Sequence, residues 1–216
     1  MKIVFAGCSY TAGGELENPE EERFSRLVCN RLGAEEYNVS RNGYSNDLLF
    51  HKFLKFSTTC GKPDVAVIQW THMSRWQMWD DDQDDWETLN INKKYKLQWN
   101  AVRYYRHVYT DQHGIENYWK NVYLAKQYCK DNDIKLIMMN KCDDITRQTR
   151  SIDYVSPYQS LCKNKIAFIF GDIVPFSKSM TLAERQEYWM EHRHPSPKGH
   201  QLIADYLIQC FDNLPG

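Results

Sequence analysis

The sequence predicts an α/β protein whose parallel sheet is covered by helices on both faces. Short apolar runs at residues 2–6, 64–70, 134–139 and 166–170 read as buried strands, and helix-patterned stretches separate them. Parallel neighbours need crossover connections, so strands that alternate with helices imply a helical layer on each side. In such a sheet, functional residues gather beyond the carboxyl ends of the strands. The 216 residues, 42% apolar and 25% charged, suffice for one well-filled core. There are no internal repeats and no Pro- or Ser-rich linker, so residues 1–216 are expected to form a single domain.

Taken in order, the first run, Lys2-Ile3-Val4-Phe5-Ala6, is ended by Gly7 and feeds a loop that carries Ser9. Residues 20–32 place Phe24, Leu27, Val28 and Leu32 at helical spacing. Glu20, Glu21 and Glu22 lie in the first turn, where they favour the helix dipole, and Gly33 is a stop. Residues 37–40 form a weak second strand. Ser45 or Asn46 can then cap a helix through Leu48, Leu49, Phe53, Leu54 and Phe56 to about Thr58. Val65-Ala66-Val67-Ile68 is the clearest buried strand. After it, residues 71–114 interrupt the rhythm with the acidic tract of residues 80–85 and many aromatics, which suggests an insertion serving as a lid or wall. A helix over 115–131 and strands at 134–139 and 166–170 follow. Leu202, Ile203, Tyr206 and Leu207 mark a final helix.

Several function classes are disfavoured. A formal net charge of −1 gives no electrostatic reason to expect nucleic acid as a partner. No apolar run reaches the length a membrane-spanning helix needs. Phe5-Ala6-Gly7-Cys8 superficially matches the end of a lipoprotein signal, but too few residues precede the cysteine, and with Met1 as the natural start a cytoplasmic location is expected. The seven cysteines, at 8, 29, 60, 129, 142, 162 and 210, include no CxxC pair and are expected to be reduced thiols.

The chemistry lies at the two ends of the chain. Gly7-Cys8-Ser9-Tyr10-Thr11 follows the first strand, and His194-Pro195-Ser196-Pro197-Lys198-Gly199-His200 precedes the last helix. A serine hydroxyl becomes a useful nucleophile when a neutral imidazole takes its proton and a carboxylate orients that imidazole. Ser9 is the candidate nucleophile, His194 the base, and Glu191 the orienter three residues earlier. His192 and His200 read as structural or supporting residues. No metal or cofactor is expected, since a serine-base mechanism needs none. Cys8 and Ser9, as neighbours on an extended segment, point in opposite directions, so only one faces the site.

These segments resemble the SGNH (GDSL-type) hydrolases, a family of esterases, lipases and acyl hydrolases with a flavodoxin-like three-layer α/β/α sandwich and a mostly parallel five-stranded sheet. Gly7-Cys8-Ser9 matches the family's first block, with Cys8 in place of aspartate. Asn42-Gly43-Tyr44-Ser45-Asn46 matches the second, and implies that the Gly43 backbone N–H joins that of Ser9 in the oxyanion hole. The third block, normally Gly-x-Asn-Asp, is replaced by Gln69-Trp70-Thr71-His72-Met73-Ser74-Arg75, where Gln69, Thr71 or Ser74 could offer a donor. Glu191-His192-Arg193-His194-Pro195 matches the last block, Asp-x-x-His-Pro, with glutamate for aspartate.

Trp70, Trp76, Trp79, Trp86 and Trp99, with Tyr104, Tyr105 and Tyr109, concentrate aromatic surface near the end of the third strand. Most read as a satellite core, with Trp70 or Trp76 as the candidate substrate contact. The resemblance implies a serine ester hydrolase acting on O-acyl esters, with short acyl groups such as acetyl on a carbohydrate or small molecule as the first expectation. The rival is a protein of the same fold whose site has decayed to binding or structure. Acyl transfer to an acceptor other than water would use the same residues.

Overall fold

A computed structural model describes residues 1–80, 85–89, 98–140, 156–162, 168–169, 186–192 and 194–214. Strand β1 (Lys2–Ala6) leads through three short helices, α1 (Ser9–Ala12), α2 (Pro19–Glu22) and α3 (Phe24–Leu32), to β2 (Glu35–Asn38). Helix α4 (Asn46–Thr59) returns the chain to β3 (Val65–Trp70). The strands β4 (Trp76–Asp80) and β5 (Asp85–Leu89) and helix α5 (Gln98–His107) come next. Helix α6 (Asp111–Asp131), β6 (Lys135–Asn140), α7 (Pro157–Leu161), β7 (Phe168–Ile169) and α8 (Pro197–Asp212) complete the described elements.

Four full strands, in the order β2-β1-β3-β6, form a parallel sheet that the two-residue β7 extends at the β6 edge. Alternate residues of each central strand face opposite sides. Val4, Ala6, Ala66, Ile68 and Met138 join α4 and α6 residues such as Phe53, Ile115 and Tyr118 in one core. Ile3, Phe5, Val67, Ile137 and Met139 join Phe24, Val28, Ile203 and Leu207 of α3 and α8 in the other. Each fully buried Leu, Ile, Val or Phe contributes about 1.5–3 kcal/mol, so the sheet is held from both sides by hydrophobic burial. Helix α4 is capped by Ser45 Oγ, which accepts from Leu48 N–H at 3.2 Å, and α8 by Ser196 Oγ, which accepts from Gly199 N–H at 3.2 Å.

Two elements differ from the sequence expectation. The helix expected over 20–32 is broken at Arg23, whose backbone is extended (φ −65°, ψ 142°). Its guanidinium reaches Glu36 at 2.9 Å and Glu20 at 2.6 Å, and the Glu36 side chain is fully buried, so the break is stabilised by a buried ion cluster. The second strand sits two residues earlier than expected. Asn38 Oδ1 accepts from Ser40 N–H at 3.0 Å and turns the chain out of the sheet, while Glu35 N–H extends the pairing to Met1 O at 2.9 Å. The strand expected at 166–170 is described only at Phe168–Ile169.

The expected insertion contains the antiparallel β4–β5 pair and α5. Residues 81–84 of the acidic tract lie outside the described residues. Leu89 and Tyr104, with Trp76, Met78, Tyr105 and Tyr109 packed on them, form a separate small core. Among the described residues no helix is long and apolar enough to cross a membrane.

Candidate active site

Ser9 opens α1 immediately beyond the carboxyl end of β1, so the chain turns from strand into helix at the hydroxyl. Cys8 is the N-cap, and both Thr11 and Ala12 N–H donate to Cys8 O at 3.1 and 3.0 Å. Gly13 adopts the left-handed conformation (φ 80°), and Gly14 N–H donates to Ser9 O at 2.7 Å. The next residue, Glu15, is one of two non-glycine residues of positive φ (70°) among those described. This tight turn folds residues 9–15 back on themselves and brings Glu15 to the same rim as Ser9.

At the other end, Met190 N–H donates to His194 O at 2.7 Å, Ser196 N–H donates to Tyr188 O at 2.9 Å, and Trp189 bridges Pro195. The segment is thereby closed into a narrow loop with His194 on its returning limb. His194 Nδ1 meets Glu15 Oε2 at 2.7 Å, and Glu15 Oε1 accepts from His192 N–H at 3.2 Å. Tyr10 packs against the His194 ring at 5.5 Å in a T-shaped contact. The ring's opposite edge faces the nucleophile turn. A Cβ placed on Gly14 would lie 3.2 Å from Ser9 Cβ and 3.3 Å from His194 Cδ2, a tight fit that a side chain could enter only if Ser9 or His194 gave way by a few tenths of an ångström.

Burial pushes the Glu15 carboxyl up, but the His194 hydrogen bond, the His192 N–H and the charges of both rings outweigh it and hold the carboxyl below its ordinary range. Glu15 is therefore ionised at neutral pH and favours a proton on His194 Nδ1, leaving Nε2 as the acceptor. The Ser9 hydroxyl is buried and donates to Cys8 Sγ at 3.9 Å, so the two neighbours do not point in opposite directions as expected, because Ser9 opens a helix rather than extending the strand.

The structure thus brings Glu15, and not Glu191, to the histidine. Glu191 is exposed in the turn of the narrow loop, where its side chain faces solvent. Spacing from the histidine pointed to Glu191, but the loop folds His194 back and carries Glu191 outward. The signal available in sequence was Gly13-Gly14-Glu15, a carboxylate placed after two glycines and six residues beyond the candidate nucleophile.

Gln69 is fully buried under the nucleophile turn. Its Oε1 accepts from Cys8 N–H at 3.2 Å, from the Cys8 thiol at 3.3 Å and from Thr11 Oγ1 at 3.0 Å, while Nε2 donates to Trp70 O at 2.7 Å. It props the turn from below, and one of its two amide N–H groups donates to a backbone carbonyl. Thr71 is also buried. Asn46 clamps its backbone, with Thr71 N–H donating to Oδ1 at 2.8 Å and Nδ2 donating to Thr71 O at 3.2 Å. This leaves the Thr71 hydroxyl as its remaining donor; its oxygen accepts from Arg75 Nη1 at 2.9 Å.

Gly43, in the loop after β2, has φ 87° and open space where a side chain would be. The β2 and β1 strands are neighbours, so this loop flanks the one bearing Ser9. Among the described residues, Ser9 and Gly43 N–H make no hydrogen bond with protein, as two oxyanion donors require.

The aromatic expectation is corrected in part. Trp70 is fully buried and packs on Tyr118 at 6.1 Å, so it belongs to the core rather than to a substrate surface. Trp76 is half-buried, stacked on Tyr104 at 5.7 Å and against His113 at 5.2 Å, which makes it part of the small core of the insertion. Among the described residues no three His, Cys, Asp or Glu side chains converge as metal ligands.

The parallel strand order flanked by helices is shared with solved structures over nearly the whole chain. The fold is that of the SGNH hydrolases. An acetyl xylan esterase, AlAXEase, superposes with a TM-score of 0.58 at 14% identity, covering 97% of this chain and 99% of that one. The psychrotrophic esterase EstA from a Pseudoalteromonas species gives 0.54 at 13% identity, covering 98% and 96%. A member of the lipolytic G-D-S-L family from Veillonella parvula DSM 2008 gives 0.53 at 14% identity, covering 99% and 100%. By sequence alone, no protein-family description and no curated protein matches the chain. At the candidate site, Glu15, Gly14 and Asn46 are the neighbours of the expected residues that motif reading missed.

Proposed function

We propose that the protein is a serine ester hydrolase acting on O-acyl esters, with short acyl groups such as acetyl on a carbohydrate or small molecule. Ser9 Oγ attacks the ester carbonyl while His194 Nε2 takes its proton; the ring then passes that proton to the leaving alkoxide as the C–O bond breaks. Glu15 orients the ring through Nδ1 and stabilises the imidazolium. The Ser9 and Gly43 N–H groups, with the Thr71 hydroxyl, receive the oxyanion. Water, deprotonated by the same ring, attacks the acyl-serine and releases the acid.

The observation that carries this reading is the placement of the His194 ring, with Glu15 on Nδ1 at 2.7 Å and the Ser9 side chain across Gly14 from its other edge. The acetyl preference draws support from the acetyl xylan esterase that shares the fold. Ser9→Ala should abolish turnover of p-nitrophenyl acetate, and unchanged activity in that variant removes the assignment.

A second reading, a binding protein that retains the fold, is favoured by the Ser9 hydroxyl resting on Cys8 rather than on the imidazole. A fluorophosphonate probe separates the two. Labelling confined to Ser9 supports the hydrolase, and folded protein that takes no label supports the binding module.

A further inference from the structure

One guanidinium at this rim has no counter-charge among the described residues. Arg75 lies five residues beyond β3, in a turn where its N–H donates to His72 O at 3.3 Å. Its Nη1 donates to Thr71 Oγ1 at 2.9 Å and to Tyr44 O at 3.2 Å. The planar fork is therefore pinned between the end of β3 and the loop that carries Gly43. This is the Ser9 rim, because β3 runs parallel beside β1 with Ile68 opposite Ala6, and Gln69 receives Cys8 N–H.

Among the described residues, the groups that hydrogen-bond Arg75 are neutral. Tyr105, whose hydroxyl donates to Ser74 O at 2.8 Å, is neutral as well. Among the described residues no carboxylate pairs with Arg75, whereas Arg23 pairs with Glu20 and Glu36, and Arg26 with Glu36. Among the described residues, the Nε–Nη2 edge has no protein acceptor. A half-buried cation fixed by neutral groups, with a planar two-donor edge left over, has the geometry that receives a carboxylate side-on.

We propose that Arg75 is the anion-recognition residue of the Ser9 site, and that the substrate is an O-acyl ester bearing a carboxylate that docks on Nε and Nη2. This rests on the ester-hydrolase reading and adds the substrate class. An acetylated acidic sugar and the monoester of a dicarboxylic acid share that chemistry, one with the charge on the alcohol and the other with it on the acyl group.

Two ester pairs test it and separate those sources: 4-acetoxybenzoate against phenyl acetate, and monophenyl glutarate against phenyl butyrate. In the wild-type protein the charged member of at least one pair should be favoured in kcat/KM by about tenfold or more, the scale of one charge-assisted bidentate contact. Arg75→Met should bring that ratio to about one, and Arg75→Lys should leave it intermediate, because lysine keeps the charge but not the fork. A wild-type ratio near one in both pairs, or an unchanged ratio in Arg75→Met, overturns the proposal. Glutarate binding to Ser9→Ala, measured by calorimetry, needs no turnover. Binding there that is lost in Ser9→Ala/Arg75→Met upholds the anion site even if the hydrolase reading fails, whereas binding that survives the second substitution refutes it.

Discussion

Replacing Glu15 by Gln removes the charge on His194 Nδ1 while keeping the size of the side chain. The carboxylate lies 2.7 Å from Nδ1, and the two side chains are 21% and 20% exposed. When the ring takes the serine proton, a carboxylate and an imidazolium whose charge centres are about 4 Å apart attract by ~4 kcal/mol at an effective dielectric of about 20. Solvent access to a fifth of each side chain reduces this to about 2–3 kcal/mol. At 1.36 kcal/mol per decade, Glu15→Gln should lower kcat/KM by about 10²-fold. The amide also turns an N–H toward one of the two donors that Glu15 now accepts, Nδ1–H or His192 N–H. The assay is kcat/KM on p-nitrophenyl acetate from pH 5 to 9, with Glu191→Gln as the control expected within about twofold of wild type, as for an exposed substitution. A Glu15→Gln variant within about threefold of wild type, or an equal loss in Glu191→Gln, would refute the assignment of the acid.

Two further outcomes follow from the same geometry. Gly14→Ala introduces a methyl 3.2 Å from Ser9 Cβ and 3.3 Å from His194 Cδ2. A displacement of a few tenths of an ångström between nucleophile and base should cost about tenfold in kcat, with thermal stability nearly unchanged; full activity in this variant would contradict the packing described. The buried His200, whose Nδ1 accepts from Phe24 N–H at 3.2 Å, is pushed down to about 3 by burial and by the charge of His194. Between its unfolded value near 6.5 and about 3, the unfolded chain binds a proton that the folded chain refuses. Stability should therefore fall as pH drops through this window, by up to about 1.4 kcal/mol per unit from this residue. Glu15, depressed from 4.5, adds loss in the same direction at the acid end. His200→Asn keeps an acceptor for Phe24 N–H and should flatten the slope of urea midpoint against pH between about 6 and 4.5. An unaltered slope would show that His200 is not the titrating group.

Much of the scaffold is legible in the sequence because it rests on local signals. The apolar runs of β1, β3 and β6 and the caps Ser45 and Ser196 each depend on residues within a few positions of one another. The two ends of the chain converge because a parallel strand order leaves Ser9 and the loop before α8 at one rim. What was not legible depends on conformation rather than on composition. Glu15 reaches His194 only because Gly13 and Glu15 itself take positive φ, which no periodicity announces. β3 is buried on both faces, so alternation along it gave no means of telling that Gln69 props the turn and that Trp70 enters the core. The break at Arg23 was hidden for a different reason. Its helical pattern is intact, and a tertiary ion cluster with Glu36 overrides it.

The turn of residues 9–15 has a consequence for how the site comes into being. Hydroxyl and carboxylate arrive on one heptapeptide, so a single long-range docking event, that of the C-terminal segment, completes the set. That segment is moored by His200 against the first amide of α3 and by Arg31 on Asp205. Detachment of the last helix would take the imidazole away and leave its two partners in place, so loss of turnover should precede loss of the sheet during denaturation, reporting the peeling of one end of the chain before the rest unravels.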